Sequence, residues 1–143
     1  MEAKTVNTGD YTFMDFKNRK NVKKIRMKEN EFSVHIVEGK RYIMNINSKV
    51  AAELREAGMN KMRVKTTEDN RNLSLFFNKE EGMFVTLREK EKDTPRVANK
   101  DFVVFLQNHY KASRNRFKVV IGENISTDKD HFEFPIIKIV ECK

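Results

Sequence analysis

Residues 47–77 and 98–136 read as one structural unit written twice, and this limits the available folds more than any other feature of the chain. Each stretch opens with a polar helix cap, continues as an amphipathic helix, and ends as two strands joined by a polar turn. The first copy runs through Asn47-Ser48, Val50 to Ala57, Met62 to Thr66 and Leu73 to Phe77. The second runs through Asn99, Lys100 to Tyr110, Phe117 to Ile121 and Phe132 to Ile136. Ser48 matches Asn99, Val64 matches Val119 and Leu75 matches Phe134, so the offset grows from 51 to 55 to 59. The extra residues fall in loops, where insertions cost little. The expected fold class is α+β: a strand-rich single domain with two short helices and an internal duplication of a helix plus β-hairpin unit.

Local patterning fills in this outline. Asn47 or Ser48 suits a helix N-cap and Gly58 a helix end, with Val50, Leu54 and Ala57 on one stripe. The second helix carries Phe102, Val103, Phe105, Leu106 and Tyr110 over a wide apolar face, which predicts a central core helix with Phe105 and Leu106 buried. Residues 32–46 predict a hairpin. A loop of three residues, Glu38-Gly39-Lys40, pairs Val37 with Arg41 and Ile36 with Tyr42. That register puts Phe32, Val34, Ile36, Tyr42, Met44 and Ile46 on one face, whereas a shorter loop would mix the faces. Met62, Val64 and Thr66 are set opposite Leu73, Leu75 and Phe77, and Phe117, Val119 and Ile121 opposite Phe132, Phe134 and Ile136. Pro135 marks an edge or a bulge in the last strand. By this reading residues 1–10 are a mobile tail, 11–87 a first half, 88–97 a charged connector and 98–143 a second half.

The chemistry of most enzyme classes is missing from the sequence. The five glycines stand alone at positions 9, 39, 58, 82 and 122, so no phosphate-cradling loop is present and no cofactor is implied. His35, His109 and His131 lack ligand spacing, and one cysteine, Cys142, can form neither a zinc site nor an intramolecular disulfide. The turn Asp128-Lys129-Asp130-His131 reads as solvated, and Cys142 has no histidine near it in sequence. A nuclease trace, Glu38-Gly39-Lys40 with Asp15 upstream, is better explained as a hairpin turn. No apolar run reaches the length of a membrane span, no signal-peptide core opens the chain, and a reducing, cytoplasmic setting is expected. The chain is therefore expected not to be an enzyme.

Charge gives the positive indication. A net charge of +8 favours a polyanionic partner, because clustered Lys and Arg release counterions when they bind phosphates. The densest run is Lys17, Arg19, Lys20, Lys23, Lys24, Arg26 and Lys28, with no acidic residue among them. A second group, Lys111, Arg114, Arg116 and Lys118, follows the second helix, and Lys61, Arg63 and Lys65 hold the corresponding place in the first copy. Together these predict a paired surface able to track a phosphate backbone. Phe16, Tyr42 and Tyr110 are the aromatic candidates for stacking, with core burial the expectation for the two tyrosines.

At the level of topology the segment NINSKVAAELREAGMNKMRVKTTEDNRNLSLFF resembles the duplicated swapped-hairpin DNA-binding proteins of the AbrB and MraZ type. It departs from them in lacking the Pro before the helix and the Gly-Asp before the next strand. The expected function is that of a nucleic-acid-binding accessory protein. Frequent Lys and Asn fit an AT-rich phage or mobile-element genome. The alternatives are a small protein-binding inhibitor or adaptor, and a binder of a polyanionic nucleotide between the two halves.

Overall fold

Period-two burial decides where the strands face. In Glu31–Val37 the buried residues Phe32, Val34 and Ile36 alternate with Glu31, His35 and other outward side chains, and the same rhythm recurs along the chain. The structure, a computed structural model, describes residues 27–87 and 95–142. The tail, most of the basic run, Asp15, Phe16 and much of the charged connector lie outside the described residues. The elements in chain order are β1 (Glu31–Val37), β2 (Arg41–Asn45), α1 (Ser48–Ala57), β3 (Lys61–Thr66), β4 (Leu73–Asn78), β5 (Met83–Phe84), β6 (Arg96–Ala98), α2 (Lys100–His109), β7 (Arg116–Ile121) and β8 (Phe132–Glu141).

The eight strands form one sheet in the order β5-β3-β4-β8-β7-β1-β2-β6, with every pairing antiparallel. Its two ends meet. Just beyond β5, Thr86 and Arg96 exchange two backbone hydrogen bonds, of 2.8 and 3.0 Å, and so link the β5 edge to β6. The result is a nearly closed barrel, which removes most of the exposed strand edge that an open sheet would offer. This overturns the α+β expectation. Among the described residues the helices are two ten-residue segments, and the sheet between and around them carries the architecture.

The duplication fails as well, and β8 shows why. Its first part pairs with β4, setting Phe134 opposite Leu75, and its last part pairs with β7, setting Ile139 opposite Val119. In the first segment Val64 faces Leu75, so the two hairpins differ in register and Val64 and Val119 do not occupy matching places. A shift between Val120 and Ile121 changes the side-chain parity of the pairing, and Ile121 then meets Ile136. The antiparallel register expected of these residues, Phe117 with Ile136, Val119 with Phe134 and Ile121 with Phe132, is therefore replaced.

Other expectations match the described residues. β1 and β2 pair Val37 with Arg41 and Ile36 with Tyr42, with Gly39 at a φ of 75° in the turn. β3 and β4 pair Met62 with Phe77, Val64 with Leu75 and Thr66 with Leu73. Asn47 caps α1 by accepting the Val50 N–H at 2.8 Å, and its Nδ2 donates to the carbonyls of Glu29 and Glu31, tying the helix to the start of β1. Asn99 caps α2 by accepting the Phe102 N–H at 2.9 Å.

One core fills the barrel. Phe32, Val34 and Ile36 of β1, Leu75 and Phe77 of β4, Phe117 and Val119 of β7 and Phe134 of β8 are all buried in it. Phe77 sits edge-on to both Phe32 and Phe134, with ring centroids 6.5 and 5.9 Å away. α1 adds Val50, Ala51 and Leu54 to this cluster, and α2 adds Phe102, Val103 and Leu106. Leu106 is fully buried as expected, but Phe105 is 45% exposed, because the buried stripe of α2 is narrower than its apolar sequence. Among the described residues no helix is long and apolar enough to cross a membrane.

Candidate nucleic-acid interface

A filled barrel presents its chemistry on the outside, where alternate strand residues point. Two stretches of the outer surface concentrate basic residues; they adjoin at the link between the β5 edge and β6, and β8 lies between them on the other side. The first spans β6, β2, β1 and β7. Arg96, Asn45, Ser33 and Lys118 are direct cross-strand neighbours and make one row on the outer face, in which Ser33 is buried and accepts a hydrogen bond from Asn45 Nδ2. The next row holds Ile43, His35 and Arg116, and Arg41 follows at the start of β2. The acidic residue on the outward side of these strands is Glu31, whose Oε1 lies 3.4 Å from Lys118 Nζ.

His35 registers the charge of this wall. Partial burial and the guanidinium groups of Arg116 and Arg41 lower its pKa below the ordinary value, since each disfavours the imidazolium form. The parity that places Phe32, Val34 and Ile36 inside also places His35 and Arg41 outside. Alternation along the β1–β2 hairpin therefore marks both as outward residues, although neither belongs to a run of basic residues that would single it out in the sequence. Arg96 escapes notice there for a different reason, because it lies in the span expected to be a connector.

The predicted site residues divide as follows. Arg116 and Lys118 lie on this wall, both partly buried. Arg114 precedes β7 and is exposed, and its N–H donates to Glu141 Oε1 at 2.8 Å. That bond leads the interactions that hold the Glu141 carboxyl below its usual pKa. Lys111 is exposed in the left-handed turn that ends α2, with a φ of 54°. Lys28 is exposed just ahead of β1. Lys17, Arg19, Lys20, Lys23, Lys24 and Arg26 lie outside the described residues.

The second wall is built on β3, whose outward residues are Lys61, Arg63 and Lys65. Lys61 faces Phe84 of β5 across the sheet, and Arg63 faces Phe76 of β4. Both rings carry a lysine: Lys61 Nζ lies 4.4 Å from the Phe84 centroid and Lys65 Nζ 5.5 Å from that of Phe76. Two carboxylates balance part of this charge. Glu81 pairs with Arg63 at 3.0 Å, and Glu133 pairs with Lys65 at 2.8 Å. Desolvation would raise the Glu133 pKa, but hydrogen bonds from Lys65 and Ser74 outweigh it and the net shift is downward. β4 and β8 stand between β3 and β7 in the ring. The two basic groups therefore face different directions and do not join into the paired surface expected from the sequence.

His131 adjoins this wall, with its ring 4.6 Å from that of Phe76. Its Nδ1 is 2.7 Å from Ser126 Oγ and its Nε2 is 3.4 Å from Asp128 Oδ2. These are the residue types of a hydrolytic triad, but all three belong to one turn. Ser126 Oγ is also engaged by the backbone of Asp128, at 3.2 and 3.3 Å, so the hydroxyl acts as a turn staple. Among the described residues no three His, Cys, Asp or Glu side chains converge as metal ligands. Glu38-Gly39-Lys40 is the exposed loop between β1 and β2. The chain matches no protein-family model, no curated protein and no solved structure, so the reading of these walls rests on their own chemistry.

Proposed function

We propose that this protein is a non-enzymatic nucleic-acid-binding accessory protein that holds a phosphate backbone against the β6–β2–β1–β7 wall. The observation that carries the reading is the set of four cations there, Arg41, Arg96, Arg116 and Lys118, which cross-strand register brings onto one side of neighbouring strands. Phosphate contacts of this kind fix a protein on a strand without reading its sequence, and their affinity comes largely from counterion release. Lys28, the described cation of the basic run, lies exposed just ahead of β1, a strand of this wall. The Lys and Asn usage fits a phage or mobile-element source.

The test is a binding panel of duplex DNA, single-stranded DNA and RNA run across a salt series. The reading expects binding that weakens steeply as salt rises. Absence of binding to all three at low salt would count against it and favour the second reading, a small protein-binding inhibitor or adaptor. That reading draws on the exposed Phe105, which with Val64, Leu73 and His109 lines a cavity of about 470 Å³ beside the β3–β4 hairpin.

A further inference from the structure

We infer that the β5–β3–β4 wall is a stacking platform for single-stranded nucleic acid, with Phe84 and Phe76 receiving bases while Lys61, Arg63 and Lys65 hold the phosphates. The inference rests on the nucleic-acid reading above and assigns a strand type and a second surface to it.

Phe84 is the starting point. It is 72% exposed, it sits in the two-residue strand β5, and it takes no part in the core. A large apolar ring held that far into water adds little to folding. The turn before it is nonetheless tightly built: Gly82 has a φ of 125° and packs so closely on the Met62 carbonyl that a side chain there would collide with backbone. The chain thus crosses the start of β3 in a glycine-dependent turn and places Phe84 directly opposite Lys61.

The surroundings of the ring select the ligand. Successive outward residues on β3 are spaced by about 6.8 Å, twice the rise per residue, a distance comparable to one nucleotide of an extended strand. Three of them in a row are cations, and two aromatic rings lie alongside in cross-strand register with the first two. Arg63, Val64, Lys65 and Phe76 also line an open concavity of about 330 Å³. Cations set beside accessible rings are how proteins hold single strands, because every base has a face that stacks and every nucleotide has a phosphate. A duplex hides its base faces, so it can use the cations of this wall but not its rings.

The experiment compares the full chain with Phe84→Ala and Phe84→Trp, measured against single-stranded and duplex DNA, with a 2-aminopurine-labelled single strand reporting stacking. The expected result is a loss of single-strand affinity of roughly 5- to 150-fold in F84A. Duplex affinity should be unchanged, the 2-aminopurine quenching should fall, and both single-strand signals should return in F84W. Phe84 is exposed, so F84A should fold, and a urea melt matching the parent checks that. If single strands bind but F84A leaves their affinity and quenching intact, this inference is overturned while the proposed function stands. If neither form of DNA nor RNA binds at low salt, the proposed function falls and this inference with it.

Discussion

The two basic walls of the barrel carry similar charge but are built differently. On the β6–β2–β1–β7 wall the cations surround a histidine and a polar row, and one carboxylate, Glu31, approaches Lys118. On the β5–β3–β4 wall a row of three cations is flanked by two phenylalanine rings, and Arg63 and Lys65 are each paired with a glutamate. Net charge alone would treat them as one basic surface. The placement of rings and carboxylates separates a wall suited to any phosphate backbone from one suited to a strand whose bases are free.

Both walls depend on the same interior, so the largest expected effect comes from cutting into it. Truncating the fully buried Leu106 to Ala should cost about 2–5 kcal/mol. Phe105→Ala, one residue away and 45% exposed, should change stability by no more than about 1 kcal/mol. Urea melts of the two variants check the contrast. Equal losses would mean that Phe105 belongs to the core and that the exposed side of α2 has been misassigned.

Removing Glu81 should sharpen the difference between the walls. Arg63 and Glu81 are both largely exposed, so Glu81→Gln should leave stability nearly unchanged, since exposed pairs contribute little. The freed Arg63 should gain a phosphate contact, strengthening single-strand affinity and raising the magnitude of its salt slope by about 0.7. A titration across salt showing no gain would mean that Arg63 does not meet the strand.

A smaller effect is expected from pH on the other wall. The His35 pKa is lowered in the free protein, so its neutral form is favoured and its contribution to stability is lost as pH falls through and below the ordinary value of 6.5. A bound polyanion would offset Arg41 and Arg116 and raise that pKa. Binding should therefore take up a proton and tighten as pH falls from about 8 toward about 5.5. His35→Gln should flatten this dependence, and an unchanged profile in H35Q would place the backbone elsewhere.

How much of this was legible in the sequence depended on the distance over which residues interact. Both helices, their Asn47 and Asn99 caps and the β1–β2 and β3–β4 registers follow from side chains a few residues apart, and the structure shows them as read. Barrel closure rests on β1 with β7, β4 with β8 and Thr86 with Arg96, contacts that leave no periodic trace. A three-residue strand such as Arg96–Ala98 is too short to show alternation at all. β8 did carry a signal: Phe132, Phe134 and Ile136 keep one parity and Ile139, packed on the core, the other, which marks the shift by which the strand passes from β4 to β7. The basic clusters were visible as residues, but which wall each belongs to was set by the ring order.

The central claim is that the β6–β2–β1–β7 wall binds a phosphate backbone, and its most direct test is the salt dependence of duplex binding in Arg41→Ala/Lys118→Ala. Each lost phosphate contact lowers the magnitude of the log-log slope by about 0.9 on duplex DNA, so the double variant should fall about 1.8 below the parent. Affinity should drop equally for unrelated duplex sequences, with the urea melt unmoved. A slope and an affinity identical to those of the parent would contradict the account.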